Sequence, residues 1–152
     1  MEIRKAKSND SEVLSQIAQA AKKYWKYPEN WLVLWKDALT VTPEFIIKNE
    51  VYAAIDGGKT LGFYALVSEN GALTLEHLWV APDYIGAGVG RELFAHAEKT
   101  AISVKAKSID IASEPNAEGF YKRMGAERVG DIITQIEGAE RILPHLRLNL
   151  KL

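Results

Sequence analysis

Leu73-Thr-Leu-Glu-His-Leu-Trp-Val-Ala-Pro82 is an apolar run rich in β-formers that stops at a proline, and Asp83-Tyr-Ile-Gly-Ala-Gly-Val-Gly-Arg-Glu-Leu93 follows it directly. Gly86, Gly88 and Gly90 alternate through the second segment, and apolar residues then recur at helical spacing. A strand that feeds a glycine-rich turn into a helix N-terminus builds an anion site. Glycine lets the backbone approach closely, and the helix start offers unpaired N–H groups at the positive end of its dipole. The question is which phosphate such a loop would hold.

Working outward, Val51–Ile55 and Leu61–Ser68 flank Asp56-Gly57-Gly58, a hairpin signal, and Glu69-Asn70-Gly71 is a second turn leading into a strand over Ala72–Val80. This predicts an antiparallel meander that ends at the glycine loop. Residues 88–103 read as a helix with Leu93, Phe94, Ala97 and Ala101 as its apolar stripe. Ser108–Ala112 reads as a strand and Asn116–Met124 as a helix closed by Gly125. Ala126–Ile136 and Arg141–Leu150 form a final β-arm turning at Glu137-Gly138.

Upstream, Glu2–Ala6 reads as a short strand. Ser8-Asn-Asp10 supplies N-cap chemistry for a helix to about Trp25, whose Val13, Leu14, Ile17, Ala18 and Ala21 should face the core. Tyr27-Pro28-Glu29-Asn30 breaks the chain before a second helix over Trp31–Ala38, and Thr42-Pro43-Glu44 starts a short turn through Lys48. The pattern predicts one α+β domain over residues 1–152, with a mixed, mostly antiparallel central sheet and helices on both faces.

Composition narrows the functional classes. A chain of 152 residues can bury a real core as one domain, and 47% hydrophobic with 26% charged residues is ordinary for a globular protein. No apolar run approaches the ~20 residues that span a bilayer, and Glu2 and Arg4 make the N-terminus unlike a signal peptide, so a cytoplasmic location is expected. Zero cysteine excludes disulfides, thiolate metal sites and a cysteine nucleophile. A net charge of −1 offers no general attraction to nucleic acid or to a membrane. His77, His96 and His145 lack metal-ligand spacing, so no metal is expected.

Two common phosphate motifs fail here. A dinucleotide fold wants Gly-x-Gly-x-x-Gly early in the chain with an acidic residue about 20 positions on, and a P-loop wants Gly-Lys-Ser/Thr, where this chain has Gly90-Arg91-Glu92. A glycine-rich connection without a ligand is the bland alternative. The order of strand, Val80-Ala-Pro82, acidic-aromatic turn, Gly-x-Gly-x-Gly and helix resembles the acetyl-CoA-binding motif of the GNAT N-acetyltransferases. A second element, Asn116-Ala-Glu-Gly-Phe-Tyr-Lys-Arg-Met-Gly-Ala126, resembles that family's Asn-x-x-Ala/Gly-x-x-x-Tyr-x-x-x-Gly-Phe signature, with Ala126 where Phe is usual. The likeness covers roughly residues 50–135 well and the first 50 in layout.

The resemblance implies transfer of an acetyl group from acetyl-CoA, as cosubstrate, to an amine. Such a reaction needs a deprotonated amine, a polarised thioester carbonyl and a stabilised leaving thiolate. It implies that Gly86, Ala87, Gly88, Val89, Gly90 and Arg91 cradle the diphosphate. Ile85, where the family often has Gln or Arg, contributes no side-chain donor. It implies that Leu78, Trp79 and Val80 meet the pantetheine arm with strand-like backbone bonding, as does the Asn116 side chain; Asn116 serves equally as an N-cap. Tyr121 is the acid implied for the thiolate, with packing of a helix on the sheet as its other reading.

Glu76 is the implied base. A glutamate in an apolar strand needs an explanation, and partial burial in the cleft would provide one. Strict alternation puts Glu76, Leu78 and Val80 on one face and Leu75, His77 and Trp79 on the other. Glu76 and the reserve base His77 therefore share a cleft only if a bulge intervenes. A cross-strand ion pair or a solvated face is the alternative for each.

The acceptor end is less defined. Tyr24-Trp25-Lys26-Tyr27, Trp31, Leu34 and Trp35 concentrate aromatic rings in the first helical region, as one wall of an acceptor site for an apolar or cationic substrate or as a core stripe. Arg141 and His145 are further candidates there. A small-molecule amine is the expected acceptor. The rivals are a protein N-terminus or lysine, a CoA-binding sensor without turnover, and a nucleotide-binding module. The apolar segment Arg141–Leu150 offers a strand edge to a second copy, so a homodimer is a candidate assembly.

Overall fold

A computed structural model describes residues 1–69 and 71–151. The chain runs β1 (Glu2–Lys5), α1 (Ser11–Tyr24), α2 (Glu29–Leu34), α3 (Pro43–Lys48), β2 (Glu50–Asp56), β3 (Lys59–Glu69), β4 (Ala72–Val80), α4 (Val89–Ser103), β5 (Ser108–Ala112), α5 (Glu118–Arg123), β6 (Glu127–Ile136) and β7 (Ala139–Asn149). The strands form one seven-stranded sheet in the order β1-β2-β3-β4-β5-β7-β6. Among the described residues only the β4–β5 pair is parallel. Among the described residues no helix is long and apolar enough to cross a membrane.

Local chemistry accounts for most element ends. The Thr42 side chain accepts the Phe45 N–H at 3.1 Å with Pro43 at the first helical position, so α3 starts where the sequence predicts. The predicted cap of α1 is built differently. Asp10 Oδ2 accepts the Lys7 N–H at 2.8 Å and pairs with Arg4 at 3.3 Å, closing a 3₁₀ turn ahead of the helix instead of bonding its first amides. The second helix begins earlier than Trp31, because the Pro28 carbonyl already accepts from Trp31 and Leu32 at 3.0 and 3.1 Å. The expected Glu69-Asn70-Gly71 turn includes Asn70, which lies outside the described residues.

Two cores sandwich the sheet. One packs Leu93, Phe94, Ala97 and Ala101 of α4 and Tyr121 of α5 against Tyr64, Leu66, Leu73, Leu75, Ile109, Ile111 and Leu146. The other packs Leu14, Ile17 and Ala18 of α1 and Ile46 of α3 against Val51, Ala53, Phe63 and Ala65. Leu93 and Phe94 are fully buried, so truncating either to Ala costs about 2–5 kcal/mol. Tyr64 places its hydroxyl 2.7 Å from His96 Nδ1 and 2.8 Å from Thr100 Oγ1, which satisfies a buried polar group and fixes α4 on the sheet.

Two expectations change. The β3–β4 register slips between Ala65/His77 and Leu66/Leu75, so Glu76 is the extra residue of a β-bulge. Alternation changes phase there: Leu73 and Leu75 lie in the α4-side core, and beyond the bulge Leu78 and Val80 do. His77 and Trp79 turn to the α1 side, away from Leu75. The segment Arg141–Leu150 also provides no free edge, since β7 lies between β5 and β6 and the edges of the sheet are β1 and β6.

Candidate active site

β4 and β5 share a single register pair, Thr74 with Asp110; beyond it β4 pairs only with β3, and β5 with β7. The two strands part, and a cavity of ≈ 660 Å³ opens at the divergence. Leu78, Trp79 and Val80 of β4 line it, as do Gly86, Gly88, Gly90 and Arg91, and Phe120, Tyr121 and Arg123 of α5. The bare edge of β4 can hydrogen-bond an extended, amide-bearing chain as a missing strand would.

The glycine loop forms one wall. Gly86 and Gly88 have φ of +88° and +85°, in the left-handed region, and Gly88 is the N-cap of α4. The N–H groups of Gly86, Gly88, Val89, Gly90 and Arg91 find no backbone acceptor among the described residues. They are a set of donors at the start of a helix of 15 residues, with Arg91 and Arg123 among the residues that line the cavity. Such a set of unpaired donors suits an anion. Ala87 does not belong to it, because its N–H donates to the Tyr84 carbonyl at 3.3 Å. Val89 can take part only through its backbone, its side chain being buried in the core.

The model for an acetyltransferase (GNAT) domain matches residues 37–137. The chain belongs to the GNAT family. A search of curated protein sequences finds no match. Among solved structures, the GNAT chain is similar to a GCN5-related N-acetyltransferase from Rhodopseudomonas palustris, with a TM-score of 0.81 at 21% identity over 98% of this chain and 95% of that one. It is similar to the PaiA N-acetyltransferase of Thermoplasma acidophilum, solved with coenzyme A, with a TM-score of 0.75 at 19% identity over 97% and 98%. A ribosomal-protein-alanine N-acetyltransferase from Brucella melitensis gives 0.74 at 19% over 99% and 100%. At such identities the likeness shows the shared fold.

Within this GNAT fold the acid and base candidates are differently placed. Tyr121 is buried and lines the cavity. Its hydroxyl makes no hydrogen bond among the described residues, yet no side-chain polar atom there is sealed without a partner; the hydroxyl therefore opens onto the cleft. Burial, with the Glu114 carboxylate nearby, pushes its ionisation well above that of free tyrosine, so it stays protonated. Glu76 also lines the cavity, but from the crest of the bulge, where it is exposed and not partly buried as expected. His77 is buried between Phe45 and Phe63 and does not line the cavity. Its Nδ1 accepts the Trp79 indole N–H at 3.0 Å, which leaves the proton on Nε2 and no lone pair for an amine. Desolvation lowers its pKa to about 4.

A buried charged cluster of the GNAT chain adjoins the same cleft through Glu114. Lys22 donates to Glu114 Oε2 at 2.6 Å, the Tyr27 hydroxyl donates to Oε1, and Asn116 Nδ2 donates to Oε1 at 2.9 Å. Arg141 Nη2 donates to the Tyr27 hydroxyl at 2.8 Å and reaches Glu114 Oε2 at 3.5 Å. Burial by itself raises the Glu114 pKa, but the Lys22 and Tyr27 hydrogen bonds and the two cations outweigh it and hold the carboxylate below its usual range. Asn116 thus faces Glu114 from a 3₁₀ turn and does not cap α5, whose N-cap is Ala117. Trp25 lines the cavity, Leu34 is exposed, and His145 pairs with Asp110 at 3.3 Å outside the cavity lining.

Glu114 was legible by counting. Seven residues before Tyr121, where the family signature starts, stands Glu114, with Ala117 at its small position and Gly125 at its glycine. Asn116 matches that signature by type but not by spacing. Arg123 carries no comparable sequence signal and emerges only from the lining of the cavity.

Proposed function

We propose that the protein transfers an acetyl group from acetyl-CoA to the primary amine of a small molecule, with Glu76 as general base and Tyr121 as general acid. The observation that carries this reading is the Tyr121 hydroxyl, protonated and open to the cleft that the donors of the glycine loop also line. Acetyl-CoA, when bound, supplies an acyl group on a thioester carbon that an uncharged amine can attack. The residues of this chain divide the remaining work. The amides of Gly86, Gly88, Val89, Gly90 and Arg91 hold the diphosphate, and Arg91 and Arg123 balance its charge. The free edge at Leu78, Trp79 and Val80 aligns the pantetheine amides. Glu76 accepts the amine proton on a carboxylate oxygen, directly or through water. Tyr121 gives its phenolic proton to the departing sulfur and regains one from solvent.

Exposure of Glu76 favours a base that exchanges protons readily with water, and the His77 tautomer favours Glu76 over its neighbour. The test begins with calorimetric titration of acetyl-CoA, CoA, ATP and NAD into the purified protein. One-site binding of acetyl-CoA and CoA alone, followed by amine-dependent release of free thiol, is the expected result. ATP or NAD binding at the same site would replace this reading with nucleotide recognition, and CoA binding without thiol release toward any amine would leave a sensor.

A further inference from the structure

The cluster behind Glu114 bears on the acceptor, given the acetyltransferase reading above. Lys22, Glu114 and Arg141 have side chains only 10%, 10% and 15% exposed, so their charges interact with little screening. Two cations share one carboxylate. Lys22 holds it at 2.6 Å, whereas Arg141 reaches it only at 3.5 Å and has no other acidic partner among the described residues. Arg141 uses Nη2 alone for its hydrogen bonds; Nε and Nη1 make none among the described residues. The cluster carries one unit of unbalanced positive charge, and a guanidinium with donors to spare.

Aromatic rings near an amine-acetylating site would suggest a cationic acceptor, but Tyr27 and Trp35 already hold cations of the chain itself. Lys22 Nζ stands 4.2 Å from the Trp35 ring centre and 5.0 Å from that of Tyr27, and the Arg141 guanidinium carbon stands 4.9 and 5.1 Å from the same two. A polycationic acceptor would meet like charge beside these two rings. What the cluster lacks is an anion. A single surplus charge with Nε–H and Nη1–H donors free among the described residues matches a carboxylate, which takes short, charge-assisted hydrogen bonds from a guanidinium. Glu114, a member of the cluster, lines the cleft with Trp25 and Trp79, and Lys22 Nζ stands 5.9 Å from the Trp79 ring centre; Arg141 is not itself a lining residue, so an acceptor in the cleft would meet it across Glu114.

We propose that the acceptor is a small amine that also carries a carboxylate, and that Arg141 is the residue that selects for it. The test compares a series of amino acids, amine and carboxylate separated by one to several carbons, each against its own primary amide. Thiol release from acetyl-CoA is measured for the wild type, Arg141→Met and Arg141→Lys. The best acid should exceed its amide by about tenfold or more in kcat/KM, mainly through KM. That ratio should fall toward one in Arg141→Met and be partly retained in Arg141→Lys. An amide that serves as well as its acid in the wild type overturns the inference. So does an Arg141→Met variant that loses both members of a pair in equal proportion, since a purely structural role predicts this. CoA titration of the same proteins separates the two claims: a wild type that fails to bind CoA removes the acetyltransferase reading and this inference with it, whereas amine acetylation without carboxylate preference removes this inference alone.

Discussion

At the scale of single residues, the site separates tasks that the sequence places within a few positions of one another. Glu76 and His77 are adjacent, yet one faces solvent at the cleft and the other is sealed among rings with its Nδ1 lone pair spent. Glu76→Gln keeps the shape of the side chain and removes its charge. It should lower kcat/KM about 100-fold, read from initial rates of thiol release. Tyr121→Phe keeps the ring that packs against Phe94 and Phe120 and removes only the hydroxyl. Turnover should drop about 100-fold while the calorimetric affinity for CoA is retained. A tyrosine present only for packing would leave turnover unchanged in that variant, and a protein that binds CoA without catalysis would show no turnover in either form.

At the scale of elements, backbone conformation does what side chains cannot. The start of α4 needs a left-handed residue at Gly88, where an L side chain is strained by about 1–2 kcal/mol. Gly90 has no such requirement: it is helical, and an added Cβ would meet Phe120 and Val80 at an ordinary 3.6 Å. Gly88→Ala should therefore lower the melting temperature and weaken CoA binding together. Gly90→Ala should leave the fold intact or up to about 1 kcal/mol more stable, while its methyl group crowds the diphosphate approach and weakens CoA binding alone. Melting curves and titrations on the two variants read this dissociation directly. The bulge in β4 has a comparable role. By adding one residue opposite β3 it sends Glu76 outward and still returns Leu78 and Val80 to the α4-side core.

At the scale of the whole molecule, acid should loosen the fold in two windows. His77 titrates at about 4 when folded and near 6.5 when unfolded, so the unfolded chain binds the extra proton between those values. Stability is complete above pH 6.5 and is lost as pH falls toward 4, by about 3 kcal/mol in all. Glu114 has a folded pKa below its unfolded 4.5, so its contribution is present above pH 4.5 and disappears beneath it. Urea denaturation across this range should show both losses, and His77→Gln should flatten the upper one. Glu114→Ala, which leaves Lys22 and Arg141 facing one another, should cost about 3–5 kcal/mol at neutral pH by the same measurement. Much of this molecule is written in short-range chemistry. Turn glycines, the i to i+4 stripe of α4 and the apolar run that ends at Pro82 specify the meander, the loop and its helix, because each depends on neighbours only a few residues away. The phase change at Glu76 could not be read, since a bulge is set by the partner strand's register and leaves the local pattern apolar. The union of Lys22, Tyr27, Glu114 and Arg141 was equally hidden. These residues come from elements far apart in the chain, and only the packing of α1 and β7 around the end of β5 brings two cations to one carboxylate.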